Sequence, residues 1–112
     1  TILENKGIDT CYSVNKSDGS LKEIALVYSN LTKMGLQLFS NQPGIQFYTG
    51  NMMEKSYNGK MNKRYGYQHA FCFEPQLFPN AVNHKNFISP IIRTGDKYRS
   101  LIIMKLKNDF DE

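Results

Sequence analysis

The sequence predicts an all-β chain, an antiparallel β-sandwich, and three observations carry that expectation. Apolar and polar residues alternate with period two over runs of strand length. Clusters of Gly, Asn, Asp and Pro separate these runs at short, regular intervals. No stretch keeps a helical period over a full helix length. With 112 residues the chain suits one domain, long enough to bury a real core but not a large one.

The elements follow in order. Residues 8–14 set Ile8, Thr10, Tyr12 and Val14 against Asp9, Cys11 and Ser13, and the cluster from Asn15 to Ser20, with Asp18-Gly19, closes that strand. A second strand spans 22–29, and Asn30 to Lys33 turns the chain into a third at 34–40. Asn41-Gln42-Pro43-Gly44 is a further turn signal, with a fourth strand following at 45–49. Gln46 there shares a face with Gly44 and Tyr48, opposite Ile45 and Phe47. The segment from Asn51 to Tyr65 reads as a long polar connection.

The central strand is expected over 67–75, with His69, Phe71 and Phe73 on one face and Ala70, Cys72 and Glu74 on the other. Pro75 removes a ladder donor, so the strand leaves its sheet or forms an edge there. Glu74 therefore ends a small-residue face, which fits a polar ligand site and fits a solvated surface carboxylate equally well. An irregular crossing from Leu77 to Lys97, held by Pro79 and Pro90, leads to a last strand at 98–106. The acidic tail from Asn108 to Glu112 reads as a frayed end.

Composition narrows the function classes. The net charge is +4, and its densest basic group, Lys55, Lys60, Lys63 and Arg64, falls in the polar connection, where a solvated loop is the default. A basic nucleic-acid-binding domain would interleave aromatic and basic residues on one sheet face, whereas here the aromatics share faces with Ile and Val. No nucleic-acid partner is expected. No segment approaches the ~18 consecutive apolar residues of a membrane span, and no apolar signal core opens the chain. Cys11 and Cys72, the two cysteines, sit in expected strands and read as free buried thiols of a reducing cytosol. Asn15-Lys16-Ser17 and Asn30-Leu31-Thr32 match a glycosylation pattern but read as turns. There is no metal-binding Cys/His cluster and no glycine-rich phosphate loop, so no cofactor is expected.

Three segments carry a family resemblance. Phe71-Cys72-Phe73-Glu74-Pro75-Gln76, continuing through Phe78-Pro79-Asn80-Ala81-Val82-Asn83, resembles the C-terminal signature of aldose 1-epimerases, the galactose mutarotases. Pro43-Gly44-Ile45-Gln46-Phe47-Tyr48-Thr49-Gly50-Asn51 resembles that family's second strong signature. Arg93-Thr94-Gly95-Asp96-Lys97-Tyr98-Arg99 resembles its closing segment before the last strand. Order and spacing both match, and the resemblance covers nearly the whole chain. It implies the C-terminal portion of a galactose mutarotase-like supersandwich, as one β domain over residues 1–112.

The resemblance also implies roles. Glu74 matches the family's catalytic base. Gln46 matches a glutamine of the sugar site in some members, although an exposed strand Gln without function is as common. Asp9, in Gly7-Ile8-Asp9-Thr10-Cys11-Tyr12, resembles the Asp of a Gly-aromatic-Asp-His motif that contacts the sugar; Ile8 and Thr10 replace the aromatic and the His, and an ordinary turn-proximal Asp is the competing reading. His69 and His84 fall outside the positions of the family's catalytic histidines and read as packed or solvated. The general acid, a histidine, and an arginine are implied upstream of this chain. A non-catalytic carbohydrate-binding domain of the same fold is the alternative.

Mutarotation requires the anomeric hydroxyl to lose a proton while the ring oxygen gains one. A carboxylate can be the base, and each positioned acid or base is worth roughly 10²–10⁴ in rate. Asp9 and Gln46 would orient the sugar, a galactose or glucose, through other hydroxyls. The expected partners are thus a small sugar and, since the rest of such a fold would cover exposed edges and apolar surface, either another copy or the missing N-terminal part.

Overall fold

The computed structural model describes residues 6–53 and 58–108, which form six strands paired antiparallel throughout. They are β1 (Asp9–Ser13), β2 (Lys22–Tyr28), β3 (Gly35–Ser40), β4 (Gly44–Tyr48), β5 (Cys72–Gln76) and β6 (Ile102–Lys107). One three-stranded sheet has the order β1-β4-β5 and the other β2-β3-β6. The helical structure among the described residues is two short 3₁₀ turns, Lys60–Asn62 and Ala81–Asn83. The chain is all-β, as its period-two alternation predicts.

The first sheet has one apolar face, and the second carries apolar residues on both. In the second sheet, Leu36 and Leu38 of β3 lie opposite Val27 and Ala25 of β2 and opposite Leu106 and Met104 of β6. Leu38, at the centre, is 2% exposed. One extra residue, Ile24, bulges between Glu23 and Ala25. In the first sheet, Phe47 of β4 stacks on Phe73 of β5 at 4.9 Å between ring centroids, and Phe71 meets Phe73 edge-on at 5.5 Å. Phe71 borders an apolar hollow of about 350 Å³ with Val27, Leu36 and Leu106, which turns the phenylalanine face of one sheet toward the leucine face of the other. This is the sandwich arrangement.

The turn between β3 and β4 passes the chain from sheet to sheet, and its side chains anchor the approach to β6. Asn41 donates from Nδ2 to the Arg99 carbonyl and accepts the Leu101 N–H, while Ser40 Oγ donates to the Leu101 carbonyl. Buried Gln42 donates to the Tyr98 hydroxyl at 3.0 Å. Residues 98–101 therefore bond to turn side chains rather than to a ladder, and β6 starts at Ile102 instead of residue 98.

The central strand is also shorter at its start than the alternation predicts. Gln68 has φ +57° and its N–H donates to the Gly50 carbonyl, and the His69 N–H donates to the Gly66 carbonyl. This turn consumes residues 66–69, so β5 begins at Cys72. It then runs through Pro75, which faces Ile45, as far as Gln76. The missing N–H is tolerated because β5 is an edge strand.

Gly50 holds the other side of that turn, with φ +70°, and a Cβ there would lie 2.7 Å from the Ala70 carbonyl oxygen. The glycosylation-like sites at Asn15 and Asn30 are turns, and the Asp18-Gly19 cluster closes β1 as expected. Both cysteines are free, but they are not buried: Cys11 is half-buried and Cys72 exposed, because both lie on the outer face of the first sheet. Lys60, Lys63 and Arg64 are solvated. Lys55 and the acidic residues beyond Asn108 lie outside the described residues.

Much apolar surface is open. All six residues of β6 are exposed, with Met104 at 67% and Leu106 at 76%. No helix among the described residues is long and apolar enough to cross a membrane.

Candidate functional site

Period-two geometry makes the outer face of the first sheet a grid of three rows. Asp9, Tyr48 and Cys72 form one row; Cys11, Gln46 and Glu74 the next; Ser13, Gly44 and Gln76 the third. Gln46 stands at the centre. Glu74, directly opposite it across the β4–β5 pair, is exposed, and so is Asp9 on the other side. Gln46 Nε2 donates to Asp9 Oδ1 at 2.6 Å. All three sequence-predicted site residues are thus brought to one face, and together with Tyr48, Met52 and Gln76 they line one open cleft of about 420 Å³. That volume falls within the ~300–1,000 Å³ usual for small-molecule pockets.

The residues flanking the strands fix the site edge. The Ile8 N–H donates to Thr49 Oγ1 at 2.8 Å, and Asn51 Nδ2 donates to the Ile8 carbonyl at 2.9 Å. Thr49 Oγ1 lies 2.6 Å from Asn51 Oδ1 and donates to it. These bonds lash the residue before Asp9 to the end of β4. Gly7 makes room for the same asparagine, since a Cβ there would lie 1.8 Å from Asn51 Oδ1. On the cleft side, the Met52 N–H donates to the Tyr48 hydroxyl at 2.8 Å. The Tyr48 O–H proton is therefore left for another acceptor.

Chemically, the cleft offers two carboxylates in different settings. Asp9 is engaged by an amide donor, while no hydrogen bond to Glu74 is seen among the described residues, which leaves its oxygens to accept a proton or a ligand hydroxyl. Tyr48, Gln46 and Gln76 supply neutral donors and acceptors, and Met52 an apolar wall. Among the described residues there is no group of three His, Cys, Asp or Glu placed to hold a metal ion.

The histidines lie elsewhere. His69, exposed, borders a different hollow beside Phe47 and Phe71. His84 packs its ring 5.1 Å from Phe87 and lies 3.4 Å from Asn80 Nδ2. Both are exposed, in keeping with their reading as packed or solvated. Gln76 and Met52 are the lining residues that sequence reasoning missed. The parity of Glu74 and Gln76 would have found Gln76, had the strand been carried past Pro75.

Comparison with known proteins finds one family and several named relatives. A sequence model of the family described as aldose 1-epimerase matches residues 1–105. The chain is 41% identical to galactose mutarotase of Sus scrofa over 63 residues, covering 56% of this chain and 18% of the relative. It is 40% identical to galactose mutarotase of Homo sapiens over 63 residues, with the same coverage. It is 32% identical to aldose 1-epimerase of Streptococcus thermophilus over 100 residues, 84% of this chain and 28% of the relative. The matched segments thus span well under a third of the relatives' own length.

Proposed function

Because the chain belongs to the aldose 1-epimerase family, we propose that it supplies the base and part of the sugar-binding floor of a hexose mutarotase, acting on sugars such as galactose and glucose. In this reading Glu74 takes the proton from the anomeric hydroxyl while an acid gives one to the ring oxygen. The C1–O5 bond breaks, the aldehyde rotates, and the ring closes on its other face. The Asp9–Gln46 pair holds the remaining hydroxyls, which is orientation and not proton transfer.

The observation that supports this best is the convergence of Asp9, Gln46 and Glu74, from three different strands, on one cleft. The acid, a histidine, and an arginine would come from sequence upstream of this chain, so the chain alone would be inactive. A cytoplasmic location belongs to the same reading, since free cysteines persist in reducing compartments.

A second reading is a carbohydrate-binding domain without catalysis, favoured by one observation: neither described histidine lines the cleft. Polarimetry on freshly dissolved α-D-galactose, with spontaneous mutarotation subtracted, separates the two. The epimerase reading expects the full-length protein to speed the change in rotation. Sugar binding without acceleration would support the binding module instead.

A further inference from the structure

We propose that Gln76 is a further sugar-binding residue, held in position by Cys11 across the gap that Gly44 leaves in the sheet. Gln76 sits on β5 and Cys11 on β1, with β4 between them. Side chains two strands apart do not ordinarily meet, because neighbouring strands are ~4.8 Å apart and an intervening side chain stands in the way. Here the residue beside Gln76 on β4 is Gly44. A Cβ at Gly44 would lie 3.3 Å from Cys11 Sγ and 3.1 Å from the Phe78 ring. With no side chain there, Gln76 Nε2 reaches across and donates to Cys11 Sγ at 3.6 Å.

That bond gives Gln76 a defined pose. A long amide side chain on an edge strand would otherwise sample several rotamers and have to be ordered at the moment of binding. Gln76 is half-buried and lines the same cleft as Glu74 and Gln46. On the grid, Asp9 and Gln76 stand at opposite corners around Gln46. Gln76 therefore takes a hydroxyl at the end of the sugar remote from the one held by Asp9. Cys11 acts through Gln76 and is a positioning residue.

The inference rests on the reading of the cleft as a sugar site, but not on catalysis there. Its test uses the full-length protein with Cys72→Ser as the parent, so that the neighbouring exposed thiol on the same sheet face cannot react in place of Cys11. Two quantities are measured: anomer interconversion by polarimetry, and the rate at which iodoacetamide alkylates Cys11, by peptide mass spectrometry. Gln76→Ala and Cys11→Ala are expected to raise KM for D-galactose roughly three- to ten-fold with kcat nearly unchanged, the size of one neutral hydrogen bond. Cys11→Ser, whose hydroxyl can still accept, should restore the parent KM. D-Galactose should slow alkylation of Cys11, and Gln76→Ala should remove that protection.

Turnover with KM unmoved by Gln76→Ala would overturn the inference and leave the epimerase reading standing. Absence of turnover in the parent would overturn the epimerase reading, and protection then decides alone. Protection by galactose that vanishes in Gln76→Ala supports the inference; protection that persists, or is never seen, overturns it.

Discussion

Gln46 joins the two carboxylates of the cleft: its amide donates to Asp9 Oδ1 at 2.6 Å, and its backbone pairs in register with Glu74 on the opposite side. The two acids are thus held to one another through a neutral residue on the middle strand. They differ in how they are engaged: Asp9 accepts the Gln46 amide, while no hydrogen bond to Glu74 is seen among the described residues.

The first prediction uses that difference. In the full-length protein Glu74→Gln should lower kcat for mutarotation by roughly 10²–10⁴, the usual worth of a positioned base, with KM little changed. Asp9→Asn and Gln46→Ala should raise KM more than they lower kcat. Polarimetric kinetics on galactose check both; wild-type turnover in Glu74→Gln would remove Glu74 from the role of base.

Gly50→Ala should destabilise the fold by ~1–3 kcal/mol, since Gly50 has φ +70° and a Cβ would press on the Ala70 carbonyl. Denaturant unfolding should show a lower midpoint with an unchanged slope. An unchanged midpoint would mean that the turn opposite Gln68 is not held as described.

Asp18 provides a pH prediction. The Ser20 hydroxyl and N–H donate to Oδ1 and the Lys22 ammonium lies 3.1 Å away, and together they hold the Asp18 carboxyl well below the usual aspartate range. A folded value below the unfolded one means that the turn's contribution is present above the ordinary aspartate pKa and fades as pH falls through the lowered one. Carbon-detected NMR titration should place Asp18 below an unperturbed Asp, and Ser20→Ala should move it up. No movement would count against the Ser20 bonds as the chief cause.

The exposed β6 edge leads to a prediction about association. Among the described residues no further strand pairs with the outer edge of β6, and apolar residues are open on both its faces, which invites strand pairing, so the isolated 112-residue chain should self-associate. Sedimentation velocity across a concentration series checks it; a monomer at every concentration would contradict it.

The sheets were readable where alternation and turn chemistry agree. Residues 44–48 and 9–13 alternate cleanly and stand within one residue of the expected bounds. At His69 and Ala70 the alternation continues but the backbone turns at Gln68, a conformation that side-chain pattern does not encode. Pro75 reads as a stop, yet an edge strand accommodates it, and so Gln76 stayed hidden. The Asp9–Gln46 bond spans 37 residues and depends on strand order, which no local pattern contains.

The three-row grid makes function and strand registration one property. Sliding β5 by a single residue along β4 would set Phe73 or Pro75 where Glu74 now faces Gln46, and would turn the carboxylate into the sandwich interior. Most of the other backbone pairs could re-form, and the sheet would still look folded to circular dichroism. An assay of the cleft therefore also measures alignment, and a substitution far from the cleft can silence it by letting one edge strand slip.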